Sequence, residues 1–167
     1  LDADGSRVVF TTLAADLAPA LTDTNNTLDV YLHDLSTGTT SLVSARSQLI
    51  LKAGNAASLT PSISADGSRV AFVTASTDIV AAADGNTAQD VYVRDFDATL
   101  GQQTILASRT SGPNGISGNG EAKSPSISAD GTRVAFQSTS SDLVPGDANG
   151  GVSDVFVRDL AAATTQL

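Results

Sequence analysis

The segment Ala65–Phe72 reads ADGSRVAF, and it returns as ADGTRVAF at Ala129–Phe136 and as ADGSRVVF at Ala3–Phe10. Asp4, Asp66 and Asp130 are therefore equivalent, 62 and then 64 residues apart. Self-similarity at such a period is the mark of a repeat architecture. Working outward, a second block follows each copy: DVYLHDL at Asp29–Leu35, DVYVRDF at Asp90–Phe96 and DVFVRDL at Asp154–Leu160. A third block follows that: TTSLVS at Thr39–Ser44, QTILAS at Gln103–Ser108 and TTQL at Thr164–Leu167. PSIS precedes the later two copies, at Pro61–Ser64 and Pro125–Ser128.

Each repeat reads as four short β segments divided by turn signals. Ala-Asp-Gly is a tight turn whose glycine takes positive φ. Arg-Val-Ala-Phe is β-branched and aromatic. The Asp154–Asp159 block alternates, with Val155 and Val157 on one face and Phe156 and Arg158 on the other. No stretch has a 3.6-residue period of helical length. The expected fold is all-β: propeller blades of four antiparallel strands, about three of them, in repeats near 1–45, 59–108 and 123–167 of one region spanning 1–167.

Composition narrows the function. Acid is almost all Asp, 17 residues against the single Glu121, as befits a turn-rich β protein. A net charge of −9 argues against nucleic acid and anionic membrane surfaces as partners. Cys is absent, which excludes disulfides and thiolate metal sites. No run of 18 apolar residues exists, so no membrane-inserting helix is expected.

The pattern PSISADGxRVAF…SDLVPGDxNGxxDVFVRD resembles the WD40-like propeller repeats of the TolB type, in their long bacterial form, over nearly the whole chain. The Trp-Asp dipeptide and Gly-His start of WD40 repeats are missing. The resemblance implies a propeller fold, no enzymatic activity of its own, and export to the periplasm or the cell exterior. Aligned on the second copy, Leu1 falls inside an innermost strand and Leu167 inside an outermost one. Three blades do not close a ring. The chain is expected to be part of a longer propeller, or half of a homodimer that completes a six-bladed ring.

Three acidic loops are candidate metal sites. They hold Asp23, Asn25 and Asp29 (DTNNTLD), Asp84, Asn86 and Asp90 (DGNTAQD), and Asp147, Asn149 and Asp154 (DANGGVSD), each preceded by an earlier Asp: Asp16, Asp78 or Asp142. Alternate oxygens in a turning loop suit a hard cation, and calcium is the candidate cofactor. Against it, the position-12 Glu of an EF-hand is absent, and Asp and Asn build Asx turns without metal.

The lone His33 aligns with Arg94 and Arg158, and it reads as an exposed polar strand residue, not a catalytic one. Arg7, Arg69 and Arg133, together with Arg94 and Arg158, are expected to be structural, pairing with Asp95, Asp159 or other turn acids. The glycine-rich Gly112–Gly120 segment (GPNGISGNG) lacks the phosphate-loop ending. Its counterpart, 46–58, carries the apolar run Leu49-Ile50-Leu51. Such inter-blade loops share a face with the acidic loops. The expected function is a noncatalytic module binding a protein or glycan through that face. The alternatives are an accessory propeller of a hydrolase or lyase, and a structural spacer in a surface protein.

Overall fold

A computed structural model describes residues 1–18, 23–46, 52–80, 84–97 and 103–167. The run Leu49-Ile50-Leu51 lies outside the described residues. Among the described residues, eleven strands form three antiparallel sheets. The first holds β1 (Arg7–Thr12), β2 (Asp29–Asp34) and β3 (Thr39–Leu42). The second holds β4 (Ser58–Ile63), β5 (Arg69–Thr74), β6 (Asp90–Asp95) and β7 (Gln103–Leu106). The third holds β8 (Ala122–Ile127), β9 (Arg133–Ser138), β10 (Asp154–Asp159) and β11 (Thr164–Gln166). Strand order follows the sequence within each sheet.

The Ala-Asp-Gly turns behave as the sequence requires. Gly5, Gly67 and Gly131 take φ of 75°, 70° and 67°. Asp66 accepts from the Ser68 amide and the Ser64 hydroxyl, and Asp130 accepts likewise from Thr132 and Ser128. These donors hold the Asp130 carboxyl down at about 2. The inner strands depart from plain alternation. A register shift separates Leu59 from Ser62 and Lys123 from Ser126, with Thr60 and Ser124 at φ of 49° and 53°. Pro61 and Pro125 have no amide for the ladder, so each strand takes up a bulge there.

Each blade is pinned by one directly opposed aromatic pair: Phe10 with Tyr31, Phe72 with Tyr92, and Phe136 with Phe156. Their ring centroids lie 6.1, 5.9 and 5.8 Å apart. The alternation of β6 and β10 then decides the packing between blades. Val70, Phe72, Tyr92 and Leu106 pack on Val30, Leu32 and Val43 of the first blade. Ala71, Val73, Val91 and Val93, on the other face of the second blade, meet Val134, Phe136 and Phe156 of the third. Val91 and Val93 are fully buried, whereas their equivalents Val155 and Val157 are 58% and 37% exposed. The far face of the third blade is thus dressed like a blade junction.

The arginines divide into two classes. Arg7, Arg69 and Arg133 pair with Asp34, Asp95 and Asp159 of their own blades, as expected of turn acids. Arg94 and Arg158 correct the reading of their strand position as exposed. Both are 1% exposed. Arg94 donates to Thr104, whose hydroxyl reaches the Ala45 carbonyl of the first blade. Arg158 donates to Thr165 and to the Arg109 and Thr110 carbonyls between the second and third blades. Burial, joined at Arg158 by the nearby Arg109 cation, pushes both guanidinium groups down to about 10. His33, half-buried, shares a hydrogen bond with Thr40 in the same register.

Candidate functional site

Antiparallel order places the β4–β5 and β6–β7 turns at one end of a blade. The β5–β6 loop and the β7–β8 connection meet at the other end. The Asp/Asn loops and the ends of the inter-blade segments therefore share one face, and the repeated residues build its floor. The middle of the second segment corrects the expectation that all of it lies there: it runs along β11, and the Gly112 amide donates to Ala163 in the β10–β11 turn at the other end.

In the first loop, Asp23 accepts from the Asn25 amide and the Tyr31 hydroxyl. The Asn25 side chain accepts from the Thr27 amide through Oδ1. Its Nδ2 donates 2.8 Å to Asp29 and 2.9 Å to the Gly54 carbonyl of the next blade. Asp29 takes the Ser44 hydroxyl at 2.6 Å. The second loop repeats this. Asp84 accepts from the Asn86 amide and from Tyr92. Asn86 accepts from Ala88 and donates 2.8 Å to the Gly118 carbonyl, and Asp90 takes the Ser108 hydroxyl at 2.6 Å. In the third, Asp147 accepts from the Asn149 amide, and Asn149 donates to Asp154. There Phe156 replaces the tyrosine, so Asp147 receives no phenol.

The structure thus brings each Asp-x-Asn-…-Asp set together as an Asx turn whose asparagine, in the first two copies, clasps the next blade. Burial raises the Asp29 carboxyl against the pull of Ser44 and Asn25. Burial pushes Asp90 up to about 7, opposed by Ser108 and Asn86. The Tyr31 and Tyr92 hydroxyls are raised too, first by burial and then by Asp23 and Asp84. Among the described residues, no three acidic or histidine side chains converge as a metal cage.

The sequence reading missed the other half of the clasp. Gly54-Asn55 and Gly118-Asn119 recur at a spacing of 64, and that recurrence was the available signal. A Cβ on Gly54 would sit 2.4 Å from Ser76 Oγ, and one on Gly118 would sit 2.3 Å from Ser140 Oγ. The Asn55 and Asn119 amides donate to Asp78 and Asp142, both at 2.9 Å. The earlier acids Asp78 and Asp142 are therefore receptors for the inter-blade segment. At the opposite end the Ala-Asp-Gly turns join directly. Ala3 and Ala65 amides donate 2.9 Å to the Ala65 and Ala129 carbonyls, and Arg7 and Arg69 reach the Gly67 and Gly131 carbonyls.

With three such sheets side by side, the comparisons with known proteins agree on the fold. No known protein family's sequence profile matches the chain, and no curated protein does. Solved structures match. TolB from Acinetobacter baumannii has a TM-score of 0.52 at 18% identity, over 99% of this chain and 30% of that one. A TolB homologue described from Agrobacterium tumefaciens has a TM-score of 0.56 at 14% identity, over 99% and 46%. The β-propeller domain of the Trilobed protease from Pyrococcus furiosus, described as having an open velcro topology, has a TM-score of 0.52 at 16% identity, over 98% and 38%. The chain is an all-β stretch of β-propeller similar to these domains, and it spans less than half the length of each.

Proposed function

We propose that this chain is a noncatalytic β-propeller module that recognises a protein or a glycan through the face bearing the Asp/Asn loops and the inter-blade segments. One observation carries the reading. The residues repeated between copies are spent on the clasps at the floor of that face, while the residues that differ stand above them. Asn26 against Thr87, and the Gly150–Ser153 stretch of the third loop, are examples, all of them exposed. Loops on a rigid scaffold that diverge above a common floor are where binding specificity resides. Support for a noncatalytic role comes from His33, whose ring nitrogen shares its hydrogen bond with a threonine and not with an acid. Completion of the ring is assigned to further blades of this repeat, with a homodimer as the competing source. Export to the periplasm or beyond is part of the same proposal.

A matched pair of substitutions tests it. Val152 in the β9–β10 loop and Leu35 in the β2–β3 turn at the other end are 58% and 60% exposed. The chain is screened against a glycan array and a displayed peptide library. Val152→Asp is expected to weaken the selected ligand roughly tenfold, and Leu35→Asp to leave it unchanged. A screen without binders, or a ligand sensitive to Leu35→Asp alone, sinks the reading.

Calcium is the alternative occupant of the acidic loops, and Asp147, Asn149 and Asp154 form the most open set. Because the loop oxygens already accept protein donors, the unfolding midpoint is expected to be the same in EDTA and in millimolar calcium. A calcium-selective rise lost in Asp147→Ala would restore metal binding, since a ligand of the native state raises stability by mass action.

A further inference from the structure

We infer that the groove beside Asp142 is a receptor for an arginine side chain carried by a partner protein. The inference rests on the loop face being the binding face, and it names the chemistry recognised there.

The two junctions of this chain differ at one point. At the first, the Arg46 guanidinium pairs with Asp78 Oδ2, while Asp78 Oδ1 accepts the Asn55 amide. At the second, Asp142 Oδ1 accepts the Asn119 amide in the same way. The residue equivalent to Arg46 is Thr110, which cannot reach. Among the described residues Asp142 Oδ2 has no hydrogen-bond donor and no cation. Where Arg46 closes the first junction, the second holds a groove of about 460 Å³, lined by Thr110, Ser111, Ser141, Asp142, Leu143 and Pro145.

The groove matches an arginine along its length. Asp142 sits at one wall with an unused oxygen for the guanidinium. The hydroxyls of Ser111 and Ser141 line the same space; each already accepts one bond, from the Thr165 amide and the Asn119 side chain, and keeps one lone pair for the remaining N–H groups. Leu143 and Pro145 supply an apolar wall for the methylene stem. Guanidinium is preferred to ammonium because its planar donors reach carboxylate and hydroxyls together. The first junction is the template, because the same chain already fills this position with an arginine. The net charge of −9 draws cationic segments toward it.

The test is a heteronuclear NMR titration of this chain with the blocked tripeptide acetyl-Gly-Arg-Gly-amide. The lysine and citrulline versions serve as controls. Shifts are expected to concentrate on the amides of Thr110, Ser111, Ser141 to Val144 and Gly146. The lysine peptide should bind several-fold more weakly, and the neutral citrulline peptide roughly tenfold more weakly. Asp142→Asn should reduce arginine-peptide binding by a similar factor. Thr110→Arg should abolish it by rebuilding the first junction's ion pair in the groove. Shifts spread evenly over all the acidic loops, equal binding of citrulline or lysine, or binding indifferent to both variants would overturn the assignment. Val152 does not line the groove. A selected ligand lost in Val152→Asp but kept in Asp142→Asn would reject the groove and spare the loop-face reading.

Discussion

Gly118→Ala is expected to lower the unfolding midpoint by roughly 5–15 °C, from a cost of about 2–4 kcal/mol in a chain of this size. The reason is space, not backbone conformation. The added carbon would lie 2.3 Å from Ser140 Oγ, 2.8 Å from its Cβ and 3.0 Å from a Leu143 methyl. Ser140 is buried and cannot simply rotate away, because its hydroxyl receives the Gly120 amide. Gly118 also holds the junction through both backbone groups, donating to the Ser108 carbonyl and accepting from Asn86. Displacing it breaks those bonds and parts the second blade from the third. Gly85→Ala is the control, since nothing lies within 4 Å of its added carbon. Thermal unfolding of the two variants decides the matter. Equal midpoints would show that the junction is slack and that the clasp does not hold the blades.

Asp90→Asn is expected to change how stability depends on pH. Burial holds the folded Asp90 carboxyl up at about 7, against an ordinary value of 3.8. Between those values the folded chain keeps a proton that the unfolded chain releases. Stability therefore falls as pH rises from about 4 to about 7, and the whole penalty stands above that. An upper bound for it is on the order of 4 kcal/mol. The amide does not ionise, so the variant gains on the parent at pH 8, and most of that advantage is gone by pH 5. Comparing each protein's midpoint at the two pH values cancels any constant packing cost. The turn carboxyls Asp66, Asp130 and Asp159 are lowered, so they are ionised in both states across this window and do not contribute. Parallel curves for parent and variant would mean that Asp90 is ionised in the fold throughout.

The blades were legible because strand and turn chemistry are local. Ala-Asp-Gly forces its turn, and Val-Phe-Val-Arg commits its side chains to two faces wherever it stands. What the neighbouring blade does was not legible. Arg94 and Arg158 looked like surface cations because burial depends on carbonyls contributed from about fifty residues away. Asp23, Asn25 and Asp29 do converge as their spacing suggested. Their partners, the Gly54 carbonyl and the Ser44 hydroxyl, lie in the next blade and just beyond β3. A motif that reads as ligands for a cation is here equally a motif for gripping backbone. The bulge at Thr60-Pro61 was signalled by the proline itself.

The junction bonds recur in kind along the chain: amide to carbonyl from Ala3 to Ala65 and from Ala65 to Ala129, asparagine to glycine from Asn25 to Gly54 and from Asn86 to Gly118, and, in the reverse direction, amide to carbonyl from Ser58 to Leu28 and from Ala122 to Gln89. Each unit presents one set of partners to its successor and the complementary set to its predecessor, in nearly the same groups. Copying such a unit in tandem inserts both edges ready-made, so the array lengthens without any new interface having to evolve. Selection can then reshape the loop tips of one copy while its neighbours keep the lattice in register, which is how a chain of near-identical parts comes to carry Arg46 at one joint and Thr110 at the next.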